Sequence, residues 1–283
     1  MFLDPYSTRG SKQLAVDVAL GGAADMTLLC PETHSLLGWR PASSFGFARK
    51  LTLVPVAVAE IARVAQVLPV LFRKVEDRWQ AVAVMGPIEG ANVFVSREGK
   101  WRTSFVPALL RVYPFKLTGA GELALWEGYK PEPIAADGAQ AFYNEGTLVP
   151  RLQQTLTFLK TVYKGIEVAH CVLDRLEMAE VLTPWDVPGI ETLQPEHVLK
   201  GLYAIDAERF EALEEALVLE LFRGGSLRWL HAQLESLHHA ERFKALAKAI
   251  VAPEITAPRQ ADKIEQAADI LAAITEDLGD VEL

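Results

Sequence analysis

Three side chains on one stretch have the types and spacing to bind a transition metal. His231, Glu235 and His239 stand four residues apart, close to one helical turn, so a helix puts all three on one face. Glu235 and His238 also form a Glu-x-x-His pair, and Glu167 with His170 repeats that spacing on an earlier stretch. Two such pairs are half of a carboxylate-bridged di-iron site, which needs two further glutamates. Both stretches are amphipathic and acidic, which favours solvated helix faces. No metal and no other cofactor is therefore expected.

A second group suits binding rather than metal chemistry. Trp101-Arg102 is followed by Arg111, Tyr113 and Lys116, with no acid between Glu98 and Glu122. Rings beside guanidinium groups favour anionic or aromatic ligands, through stacking and charge-assisted hydrogen bonds. Trp101, Arg102, Arg111 and Tyr113 are the candidate ligand-binding residues. The competing reading makes Trp101, Phe105, Tyr113 and Phe115 core and the cations rim. Motifs of common enzymes do not occur. There is no Gly-Lys-Ser/Thr phosphate loop, no GxGxxG and no GxSxG elbow, and Gly119-Ala120-Gly121 opens a hairpin rather than a helix. No catalytic residue is assigned.

The elements that must position these residues differ between the two halves. Pro55 opens a helix over Val58 to Val67, and Pro69 ends it. Val70 to Phe72 and Trp79 to Met85 read as strands about an Asp77-Arg78 turn, with Asn92 to Val95 a third. A short helix over Phe105 to Val112 places Arg111 in its last turn. Phe115 to Leu117 and Glu122 to Trp126 form a hairpin. Beyond Pro131, Pro133 and Gly138 the apolar period becomes helical: Leu152, Leu156, Leu159, Val162, Ile166, Ala169, Leu173 and Leu176 make one stripe behind Pro150. A short strand over His197 to Ile205 and an Asp206-capped helix carrying Phe210, Leu213, Leu217 and Leu221 follow. Further helices are expected from Ser226 to about Ile250 and from about Arg259 to Leu278. The fold class is α+β, with a small, mostly antiparallel sheet and short helices first and a helical C-terminal half. The expected division is a lead-in over 1–39, an α+β domain over 40–130, a linker over 131–146, a helical domain over 147–253, and an acidic helix and tail over 254–283.

Composition sets outer bounds. Half of the 283 residues are hydrophobic and the net charge is −9, which excludes a disordered chain and a dedicated nucleic-acid binder. No apolar run approaches the roughly 20 residues of a membrane span, and no stretch reads as a signal peptide. Two cysteines 141 positions apart form no disulfide framework, so a reduced, cytoplasmic setting fits. Mean hydropathy is +0.14, high for a chain without spans, and points to a homodimer. Residues 40–116 carry a net +7 and residues 117–283 a net −14, so the halves can attract one another.

One ordered series of residues is informative as a set. Phe45-Gly46-Phe47-Ala48-Arg49, Val54-Pro55, Pro69-Val70-Leu71-Phe72, Asn92-Val93-Phe94-Val95, Trp101, Val106-Pro107-Ala108, Arg111 and Tyr113-Pro114-Phe115 are followed by Gly201 to Asp206, Leu219-Glu220-Leu221 and Leu234 to Leu237. Over about residues 43 to 246 this order resembles the SapC-like family of bacterial proteins, named for a surface-layer-associated member. Members tend to be encoded near outer-membrane receptors and halogenase-like or cupin-like proteins, and no catalytic residues are established for them. The resemblance implies a non-enzymatic accessory role, engaging a protein partner or a small anionic or aromatic ligand during uptake or modification. A metal-dependent enzyme using the helical half and a surface-layer assembly or export factor are the alternatives.

Overall fold

The computed structural model describes residues 26–87, 89–186 and 199–243. The central element is a five-stranded antiparallel sheet built from β3 (Leu53–Pro55), β4 (Val70–Val75), β5 (Arg78–Val84), β12 (Leu182–Trp185) and β13 (Leu202–Ile205), in the order β12-β13-β4-β5-β3. β4 and β5 pair along their whole length, from Val70 opposite Ala83 to Val75 opposite Arg78. The turn is Glu76-Asp77, both with positive φ, a twist that suits a two-residue hairpin loop. Arg78 therefore belongs to the strand. Val70, Leu71, Phe72 and Ala81 to Val84 are fully buried, as strands covered on both faces must be.

Helices cover this sheet. α2 (Val58–Val64) begins three residues after Pro55, which itself lies in β3. α4 (Pro150–Met178) is the long helix announced by its stripe: Leu152, Leu159, Val162, Ile166, Ala169, Leu173 and Leu176 are buried, and it packs on β5 and α2. Gly165 permits the close approach, since a Cβ there would lie 2.8 Å from Ala57 Cβ. α5 (Ala207–Glu211) is capped by Asp206, whose carboxylate accepts from Arg209 N–H at 3.1 Å. The single helix expected after it divides into α5 and α6 (Glu215–Arg223). α7 (Leu227–Ser236) packs on α2 and β13 and tightens into a 3₁₀ turn over Leu237–Ala240.

The α+β class holds, and several boundaries move. Residues 92–95 form no strand; Val95 makes one isolated bridge to Trp101. The helix near Arg111 shrinks to α3 (Ala108–Arg111), with Pro107 as its N-cap. The lead-in contributes β1 (Thr27–Leu28), α1 (Pro31–His34) and β2 (Leu37–Trp39). β1 adds to the hairpin of β6 (Phe115–Leu117) and β7 (Leu123–Leu125). The stretch 131–146, expected as a linker, carries β8 (Glu132–Pro133), β9 (Gln140–Ala141) and β10 (Tyr143–Asn144). β8 and β9 flank β2, and β10 pairs with β11 (Thr147–Leu148). Backbone groups of β8 and β9 are satisfied by β2, a partner distant in sequence. One cluster of buried apolar residues runs through both halves, and β12 and β13, from the C-terminal half, complete the sheet begun by β3 to β5. The helices expected beyond residue 243 lie outside the described residues. Among the described residues no helix is long and apolar enough to cross a membrane.

Candidate functional site

Strand β2 ends on Trp39, and the chain turns through a 3₁₀ helix at Gly46–Ala48 that presents Phe45 and Phe47. α3 ends on Arg111, Tyr113 follows, and Phe115 opens β6. Arg151 is the second residue of α4. These pieces meet around a cavity of about 260 Å³. Its aromatic wall is an ordered cluster. Tyr113 stacks on Phe47 with centroids 3.8 Å apart and planes 9° from parallel, and Trp126 meets both rings edge-on. Trp39 meets Phe115 edge-on at 4.9 Å. Burial, and after it the neighbouring Tyr129, pushes the Tyr113 phenol up, so it is a neutral donor near neutral pH.

The cations of the rim lie against rings. Arg111 Cζ stands 5.6 Å from the centroids of both Phe105 and Phe158. Arg151 Cζ stands 5.1 Å from the Trp39 ring, and its Nη1 donates to Gln140 Oε1 at 3.1 Å. No aspartate or glutamate is among the described residues lining the cavity. Glu60 acts from behind. It is 7 % exposed, accepts from Ala57 N–H at 3.3 Å and from Ala108 N–H at 2.8 Å, and so ties the start of α2 to the start of α3. Burial pushes its carboxyl up, opposed by those two N–H groups and by the charge of Arg111. Glu60 thereby fixes the short helix that carries Arg111.

Of the four candidate binding residues, the fold brings Arg111 and Tyr113 to the cavity and leaves the other two behind it. The Trp101 ring packs on Phe45 at 5.6 Å, and its N–H donates to Thr103 Oγ1 and the Phe105 carbonyl. Arg102 N–H donates to the Phe94 carbonyl at 2.9 Å. Sequence reasoning missed Trp39, Arg151 and Glu60. Glu60 left a signal, a glutamate three residues after the N-cap of a helix inside a basic segment. Arg151 left none, because nothing local shows that the start of α4 meets β2.

The histidines and glutamates whose spacing could suit a metal, though none is expected, are differently placed. Glu167 pairs with Arg78, and His170 Nδ1 accepts from Trp79 N–H at 3.2 Å. His231, Glu235 and His238 line a groove of about 420 Å³ between α2 and α7 with Arg228. His239 instead turns into the core, where Nε2 lies 3.0 Å from the Ala65 carbonyl oxygen. The 3₁₀ turn after Ser236 changes the period from four residues to three, so the inward column is Gln233, Ser236 and His239. Among the described residues no three His, Cys, Asp or Glu side chains are grouped to hold an ion.

A family model for SapC matches residues 29–243. No curated protein and no solved structure matches. That span starts ahead of β2 and covers the cavity walls, the five-stranded sheet and α7. By this match over more than half of its length, the chain belongs to the SapC family.

Proposed function

We propose that this chain is a non-enzymatic accessory protein that binds a small anionic or aromatic ligand in the cavity between Trp39 and Tyr113, within a system for outer-membrane uptake or modification of that ligand. One observation carries the reading: five rings, those of Trp39, Phe45, Phe47, Tyr113 and Phe115, wall a space whose charged lining residues are Arg111 and Arg151. Concave, mostly apolar sites with a few placed polar groups are where small molecules bind. At about 260 Å³ the space is just under the usual range of about 300–1,000 Å³ for drug-sized ligands, which suits one or two rings. Trp101 supports the wall through Phe45, and Arg102 is not among the lining residues. A cytoplasmic location and a homodimer complete the proposal.

The test is calorimetric titration of the full chain with one- and two-ring aromatic compounds, charged and neutral. Saturable binding is expected, and it should vanish in a Thr155→Trp variant that fills the cavity while keeping the wild-type circular dichroism spectrum. Absence of binding across the whole panel, or binding indifferent to Thr155→Trp, would overturn the reading.

A further inference from the structure

We infer that the ligand is an aromatic carboxylate without an ammonium group: a planar ring held by the Tyr113 side of the cavity, with its carboxylate between Arg111 and Arg151. This rests on the binding reading above and narrows it.

Three observations bear on the class. First, both guanidiniums are already oriented. Arg111 lies against Phe105 and Phe158, and Arg151 against Trp39. A ring against the guanidinium face leaves the N–H edges for an acceptor. Second, those edges lack carboxylates. The Arg111 guanidinium makes no hydrogen bond or ion pair with a described residue, and that of Arg151 has Gln140, a neutral amide, as its partner. Both groups are donors, so the missing partner is an acceptor. Third, no acid is among the described residues lining the space. An ammonium would meet two cations and no counter-charge, so an α-amino acid fits worse than a simple acid. The carboxylate of an aryl acid is planar like its ring, and its two oxygens match the guanidinium fork. A phosphate lacks that planarity.

The experiment uses calorimetry on the full chain with matched pairs, benzoate against benzamide and 2-naphthoate against 2-naphthamide, plus phenylalanine and phenyl phosphate. A carboxylate should bind about tenfold or more tightly than its amide, the scale of one charge-assisted hydrogen bond. Phenylalanine and phenyl phosphate should be weaker than the best carboxylate. Arg111→Lys and Arg151→Gln, both at exposed positions, should each remove that preference, weakening the acid far more than its amide. Equal binding of acid and amide, with both arginine variants silent, would overturn the carboxylate while leaving the cavity as a binding site. Preference for phenylalanine or phenyl phosphate would overturn the class in the same way. Failure of every compound would remove the underlying reading as well.

Discussion

His239 is 5 % exposed, and its Nε2 is held by the Ala65 carbonyl while Nδ1 is buried without a partner among the described residues. Burial, then the neighbouring His238 and Arg242, pushes its pKa down to about 4 from 6.5. Below pH 6.5 the unfolded chain takes up a proton that the folded chain refuses until about 4. The neutral ring's contribution is therefore complete above 6.5 and shrinks as pH falls toward 4, by up to about 3 kcal/mol. At about pH 5 the loss should be about 2 kcal/mol relative to about pH 7.5. Urea unfolding at both pH values checks this: His239→Gln should lose distinctly less than the wild-type chain on acidification. An identical pH dependence in the two proteins would refute the assignment. His231, eight residues earlier, is exposed and meets the Phe210 ring edge-on. Residue type alone gave the two histidines one role, and burial gives them two.

Where β4 and β13 diverge, a side chain replaces the ladder. The strands pair at Phe72 with Tyr203 and at Arg73 with Leu202. Beyond that pairing, Gln233 of α7 spans the gap: its Nε2 donates to the Val70 carbonyl at 3.1 Å, and its Oε1 accepts from Ile205 N–H at 3.4 Å. Ser236 Oγ accepts from Val70 N–H at 2.9 Å. The amide thus couples two strands and a helix while keeping buried backbone groups satisfied. Replacing it by an apolar residue of similar size strands both backbone groups. Gln233→Leu should cost about 2–4 kcal/mol, from two buried groups at about 1–3 kcal/mol each. Glu235→Ala, two residues on and exposed, should stay within about 0.5 kcal/mol. Denaturant midpoints at constant slope measure both. The helical period of residues 227–236 is legible in the sequence. The strand-bridging role is not, because it depends on where β4 ends relative to β13.

At the scale of the whole molecule, the proposed homodimer has a specific candidate surface. α6 exposes Phe222 at 68 % and Leu219 at 43 %, near the exposed charges of Arg223 and Glu215. Light scattering at tens of micromolar, roughly where weak self-association saturates, should report twice the chain mass, and Phe222→Ser should return it to that of one chain. A wild-type chain of single mass would end the dimer proposal. The sequence by itself determined the class of the fold and its strongest elements. The β4–β5 hairpin, the stripe of α4 and the Asp206 cap are written in local periodicity and capping chemistry, which need only neighbours a few residues away. It also brought Arg111 and Tyr113 forward as candidates, through their types and the absence of acids around them. Tertiary structure decided the rest. Within 131–146, β8 and β9 became strands because β2 offers them backbone partners, and β13 joined β4 across a separation that local patterning does not encode. Trp39 and Arg151 reached the same cavity as Tyr113 for the same reason. A cavity is made by which distant surfaces meet, and that is set by the sum of burial and hydrogen bonding over the whole chain.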